Sequence, residues 1–76
     1  MQTFTVYRPN VPTDTHNRYQ RNLPDQAQFE GVVFDTGKCV IQWLTITGGI
    51  SVFDSFDDMM NVHGHPEYGT RVEWNS

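Results

Sequence analysis

Apolar and polar positions alternate over Thr3–Tyr7, TFTVY, and the β-branched and aromatic residues there predict a strand. No such period runs through Arg8–Gln28. Prolines at 9, 12 and 24 interrupt it, and Asn, Gln, Thr and Asp fill the intervals, so this stretch is expected to form a long loop or arm. A loop of that length in a small domain is unusual and tends to carry function. Phe29–Asp35 and Lys38–Leu44 are rich in Val, Ile and aromatics, and predict two strands joined at Asp35-Thr36-Gly37. Gly37 stands where a hairpin needs positive φ. The turn has two residues or three, and that choice sets which side chains share a face. The expected division places Val32, Phe34, Ile41 and Trp43 on one face and Phe29, Val33, Val40 and Leu44 on the other. Both faces are then apolar, so a helix is expected on one side and a second subunit or the arm on the other.

Gly48-Gly49 breaks the pattern, and Ile50–Phe53 predicts a short strand. Ser55 suits a helix N-cap, with Asp57 and Asp58 in the first turn where the helix dipole favours negative charge. Phe56, Met59, Met60 and His63 follow the spacing of one helical face. Gly64 is expected as the left-handed residue that stops this helix, with Pro66 enforcing the stop. Thr70–Trp74 alternates again and closes the sheet. The expected fold is α+β: a small antiparallel sheet of four to five strands with one short helix, in the order β-loop-β-β-β-α-β. It occupies residues 1–76 as a single domain, with the loop or arm at 8–28.

Size limits what this core can do unaided. A chain of 76 residues buries only about 60–65% of its unfolded surface. One cysteine, Cys39, excludes an internal disulfide, so reinforcement is expected from a bound partner or from self-association as a homo-oligomer. The aromatic fraction of 13% supplies large buried areas per residue. No apolar run approaches the ~20 residues of a membrane span, and the first residues lack the pattern of a signal peptide. A cytoplasmic protein without a membrane partner is expected. The net charge of −4 argues against duplex nucleic acid, which needs a clustered basic face. Arg8, Arg18 and Arg21 lie early, in a mildly basic arm expected to be mostly solvated, while Asp54, Asp57, Asp58, Glu67 and Glu73 lie late.

The candidate chemistry is sparse. His63 and His65 flank Gly64, and such a pair ligates zinc when further ligands converge, but no second spaced pair exists. Helix capping, packing and turn hydrogen bonding account better for both histidines. Cys39 lies in an apolar strand and reads as a core residue rather than a nucleophile. The aspartates are accounted for by the cap and the dipole. No phosphate loop, Ser-His-Asp pattern or dinucleotide fingerprint is present. The expectation is a non-enzymatic protein without metal or cofactor.

Binding is the stronger expectation. A compact anion such as a nucleotide needs cationic donors, a hydrogen-bonding corner and an aromatic face. His63, His65, Tyr68, Arg71 and Trp43 can supply these, with Arg18 and Arg21 added if the arm or a second subunit closes over them. Core packing competes for Trp43 and Trp74, and ion pairing with Glu73 or Asp54 competes for Arg71.

The runs FEGVVFDTGKCVIQWL, SVFDSFDDMMNVHGH and TRVEW resemble a family of small proteins from bacteria and their phages. That family shares a strand–turn–strand ending in Trp-Leu, a Phe/Tyr-Asp-Ser lead into a short helix, and a His-Gly-His corner. The resemblance covers residues 29–74 and leaves the arm outside. It implies a phage accessory or host-interaction role and assigns no residue functions. The expectation that follows is a phage-encoded protein that sequesters a small nucleotide-type immune signal to counter bacterial host defence. The alternative is an inhibitor that covers a host protein through the acidic face around Asp54–Asp58 and Glu67.

Overall fold

The computed structural model describes residues 1–10, 25–45 and 48–75. It is the expected α+β fold, one antiparallel sheet with one short helix. The strands are β1 (Gln2–Tyr7), β2 (Ala27–Val33), β3 (Cys39–Trp43), β4 (Ile50–Phe53) and β5 (Arg71–Trp74), and the helix α1 is Phe56–His63. A short 3₁₀ turn, Pro66–Tyr68, links helix to last strand. The sheet order is β4-β3-β2-β1-β5, so the first strand lies inside and β4 and β5 form the edges.

The β2–β3 turn decides the faces. The Phe34 N–H donates to the Lys38 carbonyl at 2.8 Å, and the Gly37 N–H donates to the Phe34 carbonyl at 2.8 Å. This is a three-residue loop, Asp35-Thr36-Gly37, with Gly37 at φ 96° in the left-handed position it requires. An odd loop places Val33 opposite Cys39, Gly31 opposite Ile41 and Phe29 opposite Trp43. The expected face division therefore needs correction, because pairing Val32 with Ile41 and Val33 with Val40 belongs to a two-residue turn. Phe29, Val33, Cys39, Ile41 and Trp43 share the helix-covered face, and Val32 and Val40 lie on the open one.

The core follows from that register. Phe4, Val6, Phe29, Cys39, Ile41 and Met59 are fully buried, with Val33, Trp43, Phe53, Phe56, Met60 and Val72 packed around them. Phe4 pairs with Gly31, and a side chain at Gly31 would collide with the Phe4 ring, so this glycine makes room for an aromatic at the sheet centre. The expected helix face is the one that packs. Ser55 caps α1, its side-chain oxygen accepting from the Asp58 N–H at 3.0 Å.

The helix stop differs from expectation. Gly64 is right-handed, at φ −68° and ψ −35°, and donates to the Met60 carbonyl at 2.7 Å. The reversal falls one residue later, at His65, which takes φ +27°. Pro66 keeps the residue before it out of the right-handed helical region, so the right-handed run ends at His65.

Candidate functional site

Strand alternation builds the site at the C-terminal end of α1. On β1 the inward positions are Phe4 and Val6, and the same period carries one step beyond the strand to Arg8. Arg8 is only 8% exposed. It is therefore not part of a solvated arm, as its place among polar residues suggested. Its guanidinium carbon lies 5.1 Å from the centre of the Phe29 ring, 5.5 Å from Trp43 and 5.5 Å from Tyr68. One terminal nitrogen donates to the His63 carbonyl at the end of the helix. Its Nε is buried without a hydrogen-bond partner, and among the described residues no carboxylate lies within ion-pair distance. Desolvation lowers the Arg8 pKa, partly offset by Tyr68 and the Glu67 carboxylate nearby.

His63 closes the inner side of this cluster. Its ring stands edge-on to Trp43 at 5.1 Å and to Phe53 at 5.6 Å, with Phe29 at 6.3 Å. Burial first, then the positive charge of Arg8 and proximity to His65, lower its pKa. The imidazole is thus held toward its neutral form.

The outer side is a second layer. The His65 ring stacks on Tyr68, 4.7 Å between centres and 19° from parallel. His65 Nδ1 lies 2.9 Å from the Glu67 carboxylate, and that hydrogen bond is the main cause holding the carboxyl pKa down. The Thr70 hydroxyl donates to the His65 carbonyl at 2.8 Å, and the Asn10 N–H donates to the Tyr68 carbonyl at 2.9 Å. These contacts fix the corner against the end of β1. The non-glycine residue at positive φ is the one whose imidazole this corner presents, and such backbone strain clusters at functional sites.

The structure brings His63, His65, Tyr68 and Trp43 together, and Arg8 and Phe29 join them. Arg71 stands apart. Val72 faces inward on β5, so Arg71 points to the open face, where it lies 4.8 Å over the Tyr7 ring and pairs with Glu73 at 2.8 Å. Arg18 and Arg21 lie outside the described residues. Trp74 belongs to the opposite end of the core, against Phe4 and Phe56. Among the described residues no group of three His, Cys, Asp or Glu side chains could hold a metal ion. Cys39 is buried and its thiol pKa is raised by desolvation, as suits a core residue. No helix of the described residues is long and apolar enough to cross a membrane.

Residues 29–76 match the family model described as Acb5 phage protein. The chain belongs to the Acb5 phage protein family. It is a phage protein, and that family is consistent with an anti-defence role of the anti-CBASS type. The matched region holds Phe29, Trp43, His63, His65, Glu67 and Tyr68, whereas Arg8 lies before it. No curated protein and no solved structure matches the chain.

Proposed function

We propose that the protein counters bacterial host defence by capturing a small nucleotide-type immune signal at the Arg8–His63–His65–Tyr68 corner. The carrying observation is Arg8, a cation withdrawn from water with an unpaired Nε–H and, among the described residues, no carboxylate within ion-pair distance. A buried charge in that condition is costly, and an anionic ligand relieves the cost. The surrounding ring faces suit a base or ribose, and membership of a phage family with an anti-defence association supports this class of target. The protein acts in the host cytoplasm by occupancy.

One specific observation favours a second reading, in which the captured signal is also cut. Glu67 orients His65 through Nδ1. When Nδ1 donates to that carboxylate, Nε2 is left to take the proton of an attacking hydroxyl as its oxygen bonds to phosphorus. The opposite P–O ester bond breaks, and its oxygen leaves with a proton from water. The strained backbone at His65 is what presents this imidazole at the corner.

One experiment separates the readings. Purified protein is titrated calorimetrically with cyclic and ADP-ribose-derived nucleotides, and the mixture is then denatured and its nucleotides resolved by chromatography. Saturable heat with intact, stoichiometric recovery supports capture. Loss of nucleotide beyond the amount of protein present supports cleavage. Neither heat nor loss across the panel rejects both.

A further inference from the structure

The two edges of the sheet are unlike. β5 carries Arg71 and Glu73, and charged side chains on an edge strand discourage pairing with another chain. β4 reads Ile50-Ser51-Val52-Phe53, with neither charge nor proline. Ile50 is 68% exposed and Val52 66% exposed, so among the described residues nothing covers them.

The ladder shows which backbone groups are free. The Trp43 N–H donates to the Gly49 carbonyl at 2.9 Å, which makes Trp43 and Gly49 a hydrogen-bonded pair. Ile41 pairs with Ser51 and Cys39 with Phe53 in the same register. Hydrogen-bonded and non-bonded pairs alternate in an antiparallel ladder, so Ser51 and Phe53 turn their amides and carbonyls toward β3. Those of Ile50 and Val52 point away from the sheet. Among the described residues nothing accepts or donates to them.

We infer that β4 is a self-pairing edge, which joins a second copy of the chain antiparallel across a two-fold axis at Ser51. In this register Ile50 lies opposite Val52 of the second copy, and Val52 lies opposite its Ile50. Each of these pairs exchanges both of its N–H···O bonds, because these are the residues whose backbone groups face outward. The open face gains a continuous apolar row. Val32 pairs with Val40 and Val40 with Val52, and the next position is Ile50 of the second copy. The neighbouring registers that preserve the facing are worse. One sets Ile50 against Asp54 and the other sets Val52 against Gly48. A heterologous partner strand has no such reason to match, whereas the chain is complementary to itself. Ile50 and Val52 lie on the open face, whereas His63 packs on the helix-covered one, and the pairing does not depend on the function proposed for the corner.

The test is sedimentation velocity over a concentration series. The wild type should move reversibly toward twice 8.8 kDa. Val52→Lys places a charge in both symmetric pairs and should weaken association about tenfold or more. The substituted position is solvent-exposed, and an unchanged circular dichroism spectrum will verify that the fold is intact. Glu73→Lys on the other edge should leave association unchanged. Ser51→Cys tests the register, since non-hydrogen-bonded antiparallel partners stand close enough for a disulfide. Mild oxidation should give a covalent dimer, with Cys39 buried and unreactive. A wild type that stays at 8.8 kDa to its solubility limit overturns the proposal. So does a dimer indifferent to Val52→Lys, or one that Ser51→Cys does not cross-link.

Discussion

The two ends of α1 close the same core by different means. At the N-terminal end, Phe56 meets Phe4 at 5.3 Å and Trp74 at 5.0 Å, and Phe4 meets Trp74 at 5.3 Å. That end holds rings alone, and Ser55 satisfies the helix terminus. At the C-terminal end, Phe29 and Trp43 pack against Arg8 and His63, and the chain leaves the helix through a strained residue. A chain of this length has little stability to spare. A buried cation with a free donor, a histidine held toward neutrality and a positive φ at His65 are poor choices for stability alone. The difference teaches that one end serves the fold alone, while the other carries costs that the proposed ligand site would explain.

The comparison breaks if the two ends respond alike to substitution. Phe4→Ala should have the largest effect, a loss of about 3–5 kcal/mol in denaturant unfolding, enough to unfold much of the population. Next, the helix termini should give opposite signs. Ser55→Ala removes the N-cap and should cost about 1 kcal/mol. His65→Gly releases strain at positive φ and should stabilise by about 0.5 kcal/mol, read from the same denaturation curves. Arg8→Met keeps the apolar stem and deletes the desolvated charge, so its unfolding free energy should stay within about 1 kcal/mol of wild type. A loss comparable to Phe4→Ala would make Arg8 a structural residue.

The smallest effect concerns pH. His63 has its folded pKa below the ordinary 6.5, so as pH falls the unfolded state binds the proton first. Its contribution to stability is present above about 6.5 and is lost as pH falls toward the folded value. The melting temperature should therefore drop across this window in the wild type and less so in His63→Gln. Glu67 and Asp35, both with lowered carboxyl pKa values, act in separate and lower windows, Glu67 losing its contribution as pH falls below 4.5 and Asp35 below 3.8.

Much of the fold was legible because local signals agreed. β4 and α1 fall where Ile50–Phe53 and the Ser55 cap place them, since cap, dipole and helical spacing all point one way. The face division was not legible, because Asp-Thr-Gly fits both a two-residue and a three-residue turn and only the pairing chooses. The end of the right-handed run moved from Gly64 to His65 because the proline restriction acts on the residue just before it. His63, His65 and Tyr68 were readable as neighbours from their spacing along the chain, but their convergence with Trp43 was not, because it rests on the pairing of β3 in the sheet. Arg71 was not separable from them, because one residue of strand register puts it on the opposite face. Arg8 was missed, although its signal was present: Phe4, Val6 and Arg8 share one period, and a polar surrounding sequence hid that continuation.

The most direct test of the account compares both ends for ligand binding. Once a nucleotide from the panel shows saturable heat, calorimetry is repeated with Arg8→Met and with Trp74→Leu. The account predicts that Arg8→Met weakens binding about thirtyfold or more, the loss expected for a buried charge contact worth ~2 kcal/mol. Trp74→Leu should bind as the wild type does. Unchanged affinity in Arg8→Met, or an equal loss in both variants, would contradict the assignment of the ligand to the Arg8 end of the helix.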